Sequence, residues 1–132
     1  MVLIHFIYTS LFRIAVPVMR ILALCGNSNL SSLFEMRKKS EFPPVPSLEY
    51  AWFHCASLGE YEQASPVIES YVSLNPKTPI LITFFSPSGY NLVMENPPSW
   101  IRKGDSICAL PFDTPGRIRA FLKSVDYRIK FF

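Results

Sequence analysis

Apolar residues dominate positions 2–25, VLIHFIYTSLFRIAVPVMRILALC, a run long enough for one continuous helix. At 100° per residue His5, Thr9, Arg13 and Arg20 fall within about 80° of one another. Leu, Ile, Val, Phe and Met fill the rest of that circumference. Over 26–48 the period is lost. GNSNLSS, the triplet Arg37-Lys38-Lys39 and the proline-rich EFPPVPS read as a connector. From Tyr50 onward, short apolar runs alternate with helical spacings. YAWFHCA (50–56), PILITFFS (79–86) and SICALPF (106–112) have strand composition, and YRIKFF (127–132) begins a fourth strand. EYEQASPVIESYVSL (60–74) carries Ala64, Val67, Ile68, Tyr71 and Val72 at helical spacing. Pro66 within it reads as a second helix start rather than a kink. PSGY opens a short helix at 89–95, and TPGRIRAFLKSVD (114–126) is a helix with Thr114 as cap and Pro115 at its first position. Strand–helix alternation at this spacing predicts βαβ units, hence an α/β fold with a parallel sheet, flanking helices and a hydrophobic helix ahead of it. The expected divisions are 1–25 as that helix, 26–49 as connector and 50–132 as the α/β domain.

Composition narrows the function classes. With 132 residues, 49% hydrophobic and 14% aromatic, the chain has enough apolar surface for one folded domain and is not a disordered segment. A net charge of +3, with no Arg/Lys stripe interleaved with aromatics, argues against a nucleic-acid partner. The 2–25 run favours membrane attachment. It lacks a positive charge ahead of its apolar core and a small residue before Cys25, so neither a secretory signal nor a lipoprotein site fits. Two arginines deep in lipid are costly, so a tilted anchor or a helix lying in the interface fits better than a plain span. The alternative is a buried helix of a soluble core. The basic triplet either meets anionic headgroups or is a solvated charge run. Of three cysteines, Cys55 and Cys108 lie inside apolar runs, where Cys behaves as a small buried hydrophobe. No Cys/His spacing points to a metal.

In an open parallel sheet, ligands bind outside the carboxyl ends of the strands. Three segments stand there, 57–60, 86–90 and 111–114, and they are expected to converge. In SLGE, a glycine turn delivers Glu60 to a helix N-terminus at the cleft. An acid there also serves simply to complement the helix dipole, and the residues alone leave both readings open. Glu62 points about 200° away from Glu60, so the paired carboxylates of a retaining glycosidase are not made locally. In FFSPSGY, Ser86, Ser88 and the Gly89 backbone either cradle a phosphate or sugar hydroxyl, or cap the next helix. Asp113 in LPFDTPGR reads more strongly as a cap than as a site residue. No nucleotide fingerprint occurs. His5 lies in the N-terminal run and His54 inside a strand, so no Ser/His/Asp set assembles.

Taken in order, FHCASLGEYEQASPVIE, ITFFSPSGY and LPFDTPGRIRAFLKSVDYRI resemble the N-terminal domain of 3-deoxy-D-manno-octulosonic acid (Kdo) transferases, from about Trp52 to the end. The resemblance implies the Rossmann-like N-terminal half of a GT-B, inverting glycosyltransferase that adds Kdo to a lipid A precursor in lipopolysaccharide inner-core synthesis. Glu60 matches the glutamate of the family's Ser-x-Gly-Glu motif, which implies a general base for the acceptor hydroxyl. Ser57 and Gly59 match the same motif and are implied to shape the turn. Ser86, Ser88 and Gly89 match the segment that lines the acceptor side of the cleft. The implied partners are CMP-Kdo, a lipid A precursor and the membrane, with no metal or other cofactor, at the cytoplasmic face of the inner membrane.

The family continues with a Trp-Pro-containing motif and a second domain that binds CMP-Kdo, whereas this chain stops inside an apolar strand. The expectation is therefore part of a longer protein, unable to transfer Kdo by itself. The competing expectation is a stand-alone Rossmann-like module that holds a phosphorylated ligand without catalysis.

Overall fold

The computed structural model describes residues 2–42, 50–125 and 130–131. Its elements are α1 (Val2–Leu24), α2 (Ser28–Lys39), β1 (Ala51–Cys55), α3 (Leu58–Leu74), β2 (Ile80–Phe84), α4 (Pro87–Glu95), β3 (Ser106–Ala109), α5 (Pro115–Val125) and β4 (Lys130–Phe131). The proline run at 43–49 and most of the expected fourth strand lie outside the described residues. All described pairings are parallel, and the order is β3-β2-β1-β4. Ala51 lies opposite both Ile80 and Lys130, and Leu81 lies opposite Ser106. The chain thus steps outward from β1 to β3, then returns past two strands to β4. Strand order reverses between β1 and β4, the switch point beside which open α/β sheets bind ligands.

Alternation along the strands divides the interior in two. Ala51, Phe53, Cys55, Ile80, Ile82 and Phe84 join one cluster with Tyr61, Ile68 and Val72 of α3, Tyr90 and Val93 of α4, and Leu33 and Met36 of α2. Leu81, Cys108 and Tyr50 pack with Phe121 and Val125 of α5 on the other side. β2 is buried throughout, as the near-continuous apolar run ILITF requires of an inner parallel strand. The α/β parallel fold is as the sequence predicts.

Two local expectations change. The segment read as a connector contains α2, because only a narrow stripe of it faces the core and its average apolarity is low. Asn27 caps the helix by accepting from Leu30 N at 3.2 Å, and Arg37, Lys38 and Lys39 fill the last turn, where the dipole favours cations. Nor does Pro66 start a second helix. α3 runs unbroken through it, and Pro66 and Glu62, whose carbonyl loses its helix partner, both lie on the exposed face. Val67, expected in the apolar stripe, is exposed, and Tyr61, not among the residues expected there, is buried.

The amino end of the sheet is stitched by Arg102 and Asp105. Arg102 donates to the carbonyls of Asn75, Pro76 and Thr78 at 2.7–3.3 Å and pairs with Asp105 at 3.0 Å. Asp105, its side chain 2% exposed, also accepts from Ile80 N at 3.0 Å.

α1 packs on α2 through Val16 and Met19. Leu11, Ile14, Val18, Ile21 and Leu22 form an exposed stripe at helical spacing on another face. Among the described residues no single helix is long and apolar enough to cross a membrane. Arg13–Leu24 and Ser28–Lys39 meet that requirement only as a pair, bent by 113°.

Candidate active site

Glu60 sits at the third position of α3, directly after the carboxyl end of β1. Ser57 is the N-cap, extended at φ −135° and ψ 171°, and its Oγ accepts from Glu60 N at 3.3 Å. Glu60 Oε2 in turn accepts from Ala56 N at 2.6 Å. This reciprocal arrangement is a variant of the capping box, reaching one residue further back than usual. It holds the carboxylate on one oxygen. No hydrogen bond from the described residues reaches Oε1, and the residue is exposed. A Cβ added to Gly59 meets nothing within 4 Å, so the surface beside Glu60 is open to a ligand. Cys55, beneath the turn, is buried. That burial, and then the charge of Glu60, push its thiol up to about 11, which leaves it a neutral packing group.

The second turn is built on the same pattern and packed differently. Ser86 is the N-cap of α4 and Pro87 follows it, yet no side-chain cap bond forms. Ser86 Oγ and Ser88 Oγ lie 3.0 Å apart instead. Ser86 N donates to Ala56 O at 2.9 Å, tying this turn to the one that carries Glu60. Gly89 is buried, and a Cβ there would lie 2.7 Å from the Phe84 ring. Gly89 therefore serves the close approach of α4 to β2, while Ser86 and Ser88 remain at the edge.

The third turn is held through α2. Phe112 is buried against Phe34, with ring centroids 5.3 Å apart, and Asp113 is exposed. Arg37 spans the second and third turns. Its guanidinium donates to Phe85 O at 3.2 Å and lies 4.8 Å from the Phe85 ring centroid and 4.2 Å from that of Phe112. The three turns converge as expected, with Arg37 as the link between two of them. In the sequence Arg37 stands out only as part of the basic triplet Arg37-Lys38-Lys39. The signal that finds it is the i, i+3, i+4, i+7 spacing of Leu30, Leu33, Phe34 and Arg37 behind the Asn27 cap.

His54 likewise reads from the sequence only as a residue inside a strand. It is exposed at the carboxyl end of β1, on the α5 side and next to the switch point. Trp52 Nε1 donates to Thr83 Oγ1 at 2.8 Å, and His54 Nδ1 lies 3.0 Å from the same oxygen. The Thr83 hydroxyl can accept from Trp52 and either donate to Nδ1 or accept from it, so it anchors the His54 ring in both tautomers.

Comparison with known proteins bears on this edge. A family model described as 3-deoxy-D-manno-octulosonic-acid transferase (kdotransferase) matches residues 29–132, from α2 through the three turns. A bifunctional glycosyltransferase/methyltransferase of Fusobacterium nucleatum is 23% identical over 100 residues, covering 76% of this chain and 15% of that protein. No solved structure matches.

Proposed function

The chain belongs to the 3-deoxy-D-manno-octulosonic-acid transferase family, and from that premise we propose that it is the acceptor-side, N-terminal part of a glycosyltransferase that moves Kdo from CMP-Kdo to a lipid A precursor. The observation that carries this reading is the Ser57–Glu60 turn. It fixes a carboxylate by one oxygen at the switch point, beside a glycine with open space.

In the proposed reaction Glu60 takes the acceptor hydroxyl's proton as that oxygen bonds to the anomeric carbon of Kdo. The bond from that carbon to the CMP phosphate breaks on the opposite face, and its electron pair leaves with CMP. One displacement inverts the centre, so no second carboxylate is needed as a nucleophile. The bond from Ala56 N orients Glu60 without occupying Oε1, and Oε1 is the oxygen assigned to the proton. Ser57 holds the turn. Ser86 and Ser88 contact acceptor hydroxyls, and Gly89 sets the position of their turn.

The exposed apolar stripe of α1 supports membrane attachment with the helix lying along the interface, and the cytoplasmic face of the inner membrane is the site the family resemblance implies. CMP-Kdo binding is assigned to a second domain, as in the family pattern. The test is CMP release from CMP-Kdo with a lipid A precursor, by the protein joined to a CMP-Kdo-binding domain. Glu60→Gln is expected to slow release roughly 10²–10⁴-fold while acceptor affinity stays within about threefold. An undiminished rate would remove Glu60 from the chemistry.

A further inference from the structure

His54 and Glu60 flank the carboxyl end of β1 from opposite faces of the sheet. Alternation along β1 sends Phe53 and Cys55 to the α3 side, and Trp52 and His54 to the α5 side. The imidazole is held from beneath. Thr83 is the one hydroxyl in the run ILITF and is wholly buried. It bonds both Trp52 Nε1, at 2.8 Å, and His54 Nδ1, at 3.0 Å. Trp52 is itself packed on Phe121, with ring centroids 5.4 Å apart.

An exposed imidazole needs no such support. Water satisfies both ring nitrogens, whereas pinning the ring gives up rotamer freedom. Trp52 accounts for one bond to the Thr83 hydroxyl, and the second bond, to an exposed ring, adds little to burial. What the second bond does is fix direction. With Nδ1 on Thr83, Nε2 is the nitrogen left for a ligand, and no hydrogen bond from the described residues reaches it. A side chain locked by a buried partner, with its outer atom left open, is a preorganised contact. An anion at Nε2 selects the forms in which that nitrogen carries hydrogen. Thr83 suits both of them, donating to Nδ1 of a neutral ring or accepting from Nδ1 of a charged one.

Position names the ligand. β1 borders the switch point, where the strand order reverses toward β4. In the proposed transfer, Glu60 works on one face of the anomeric carbon and the nucleotide phosphate leaves from the opposite face. Glu60 reaches this edge from the α3 side and His54 from the α5 side. We propose that His54 Nε2 donates a hydrogen bond to the phosphate of the departing nucleoside monophosphate, an inference that rests on the transfer reading. The bond from the anomeric carbon to the phosphate oxygen breaks, and its electron pair stays on that oxygen. Glu60 holds the acceptor's proton, and the Nε2 hydrogen stays on nitrogen throughout. The phosphate gains a negative charge as the bond breaks, so a fixed donor there favours the transition state over the bound donor sugar.

The test uses the protein joined to a CMP-Kdo-binding domain. CMP and cytidine are titrated calorimetrically, and CMP release from CMP-Kdo is measured alongside. His54→Asn keeps a partner for Thr83 but ends short of the Nε2 position, whereas His54→Gln places an N–H near it. His54→Asn should weaken CMP about tenfold and leave cytidine, which lacks the phosphate, within about twofold. It should also slow CMP release about 10–100-fold with the acceptor KM within about threefold. His54→Gln should restore CMP affinity to within about threefold of the parent. Unchanged CMP affinity in His54→Asn, or equal weakening of CMP and cytidine, would overturn the phosphate contact. A His54→Gln protein no better than His54→Asn would do the same. Glu60→Gln, run in parallel, keeps the two readings apart. Its release rate bears on the transfer reading alone, and the comparison of CMP with cytidine decides the His54 contact whatever that rate is.

Discussion

The two ends of the sheet are built for opposite purposes. At the amino end, Arg102 and Asp105 spend their hydrogen-bonding capacity on backbone and on each other, and Asp105 is almost wholly buried. At the carboxyl end, Glu60, Ser88 and His54 stand exposed, and Gly59 faces open space. Both ends are polar. The difference lies in whether the polar groups are used up by the fold or held by part of their capacity and left available. An α/β sheet that binds at its carboxyl edge needs that asymmetry, because the amino edge must carry the rigidity that the open edge gives up.

The largest effect should come from the closed end. Arg102→Ala leaves the Asp105 carboxylate buried with its main partner gone, and about 3 kcal/mol of stability should be lost in urea unfolding. A loss below about 1 kcal/mol would mean that the stitching contributes little. Next, the glycines of the two turns should separate. Gly89→Ala drives a methyl into the Phe84 ring and should cost about 2 kcal/mol, since both elements are packed. Gly59→Ala meets no atoms and should change stability by less than about 0.5 kcal/mol. Equal costs at the two positions would erase the distinction between a packed glycine and an open one.

Alkaline titration gives a smaller effect. Burial raises Cys55 to about 11 and Cys108 to about 12 from an ordinary value of 9.0. Their folded pKa values lie above the unfolded ones, so stability is fully present below pH 9 and is lost as pH rises toward 11–12. Tyr61 and Tyr90, raised by burial, act in the same sense. Arg37, lowered to about 10, acts in the opposite sense above that pH, so the decline is best read between pH 9 and 10. About 1 kcal/mol per thiol should disappear over that unit. Disulfide-exchange labelling at pH 8 should modify exposed Cys25 first, with Cys55 and Cys108 at least about 10²-fold slower.

Much of the fold was legible because strand runs such as ILITF and the helix face of Ile68 and Val72 carry strong periodic signals. The carboxyl-edge turns were legible for a related reason: each strand ends at a Ser, Gly or Pro, and parallel topology then gathers the turns. α2 escaped because only four of its twelve residues, Leu30, Leu33, Phe34 and Met36, are apolar and dock it, and its average apolarity is low. Arg37 and His54 escaped for a different reason. Their surroundings are made by residues 48 and 29 positions away along the chain, Phe85 and Thr83, and no local pattern records such contacts. Gly59 and Gly89 look alike in sequence. Only the three-dimensional position of the Phe84 ring tells them apart.

Glu60→Gln tests the central claim most directly, measured for both stability and transfer in the protein joined to a CMP-Kdo-binding domain. The amide oxygen can still accept from Ala56 N, so the turn should stay within about 0.5 kcal/mol of the parent. Its counterpart at the closed end, Arg102→Ala, should do the reverse, losing stability first. The account predicts an intact fold, acceptor affinity within about threefold, and CMP release from CMP-Kdo slowed roughly 10²–10⁴-fold. A Glu60→Gln protein that transfers Kdo at the parental rate would show that the chemistry lies elsewhere, and one that also unfolds readily would show that Glu60 is a helix cap.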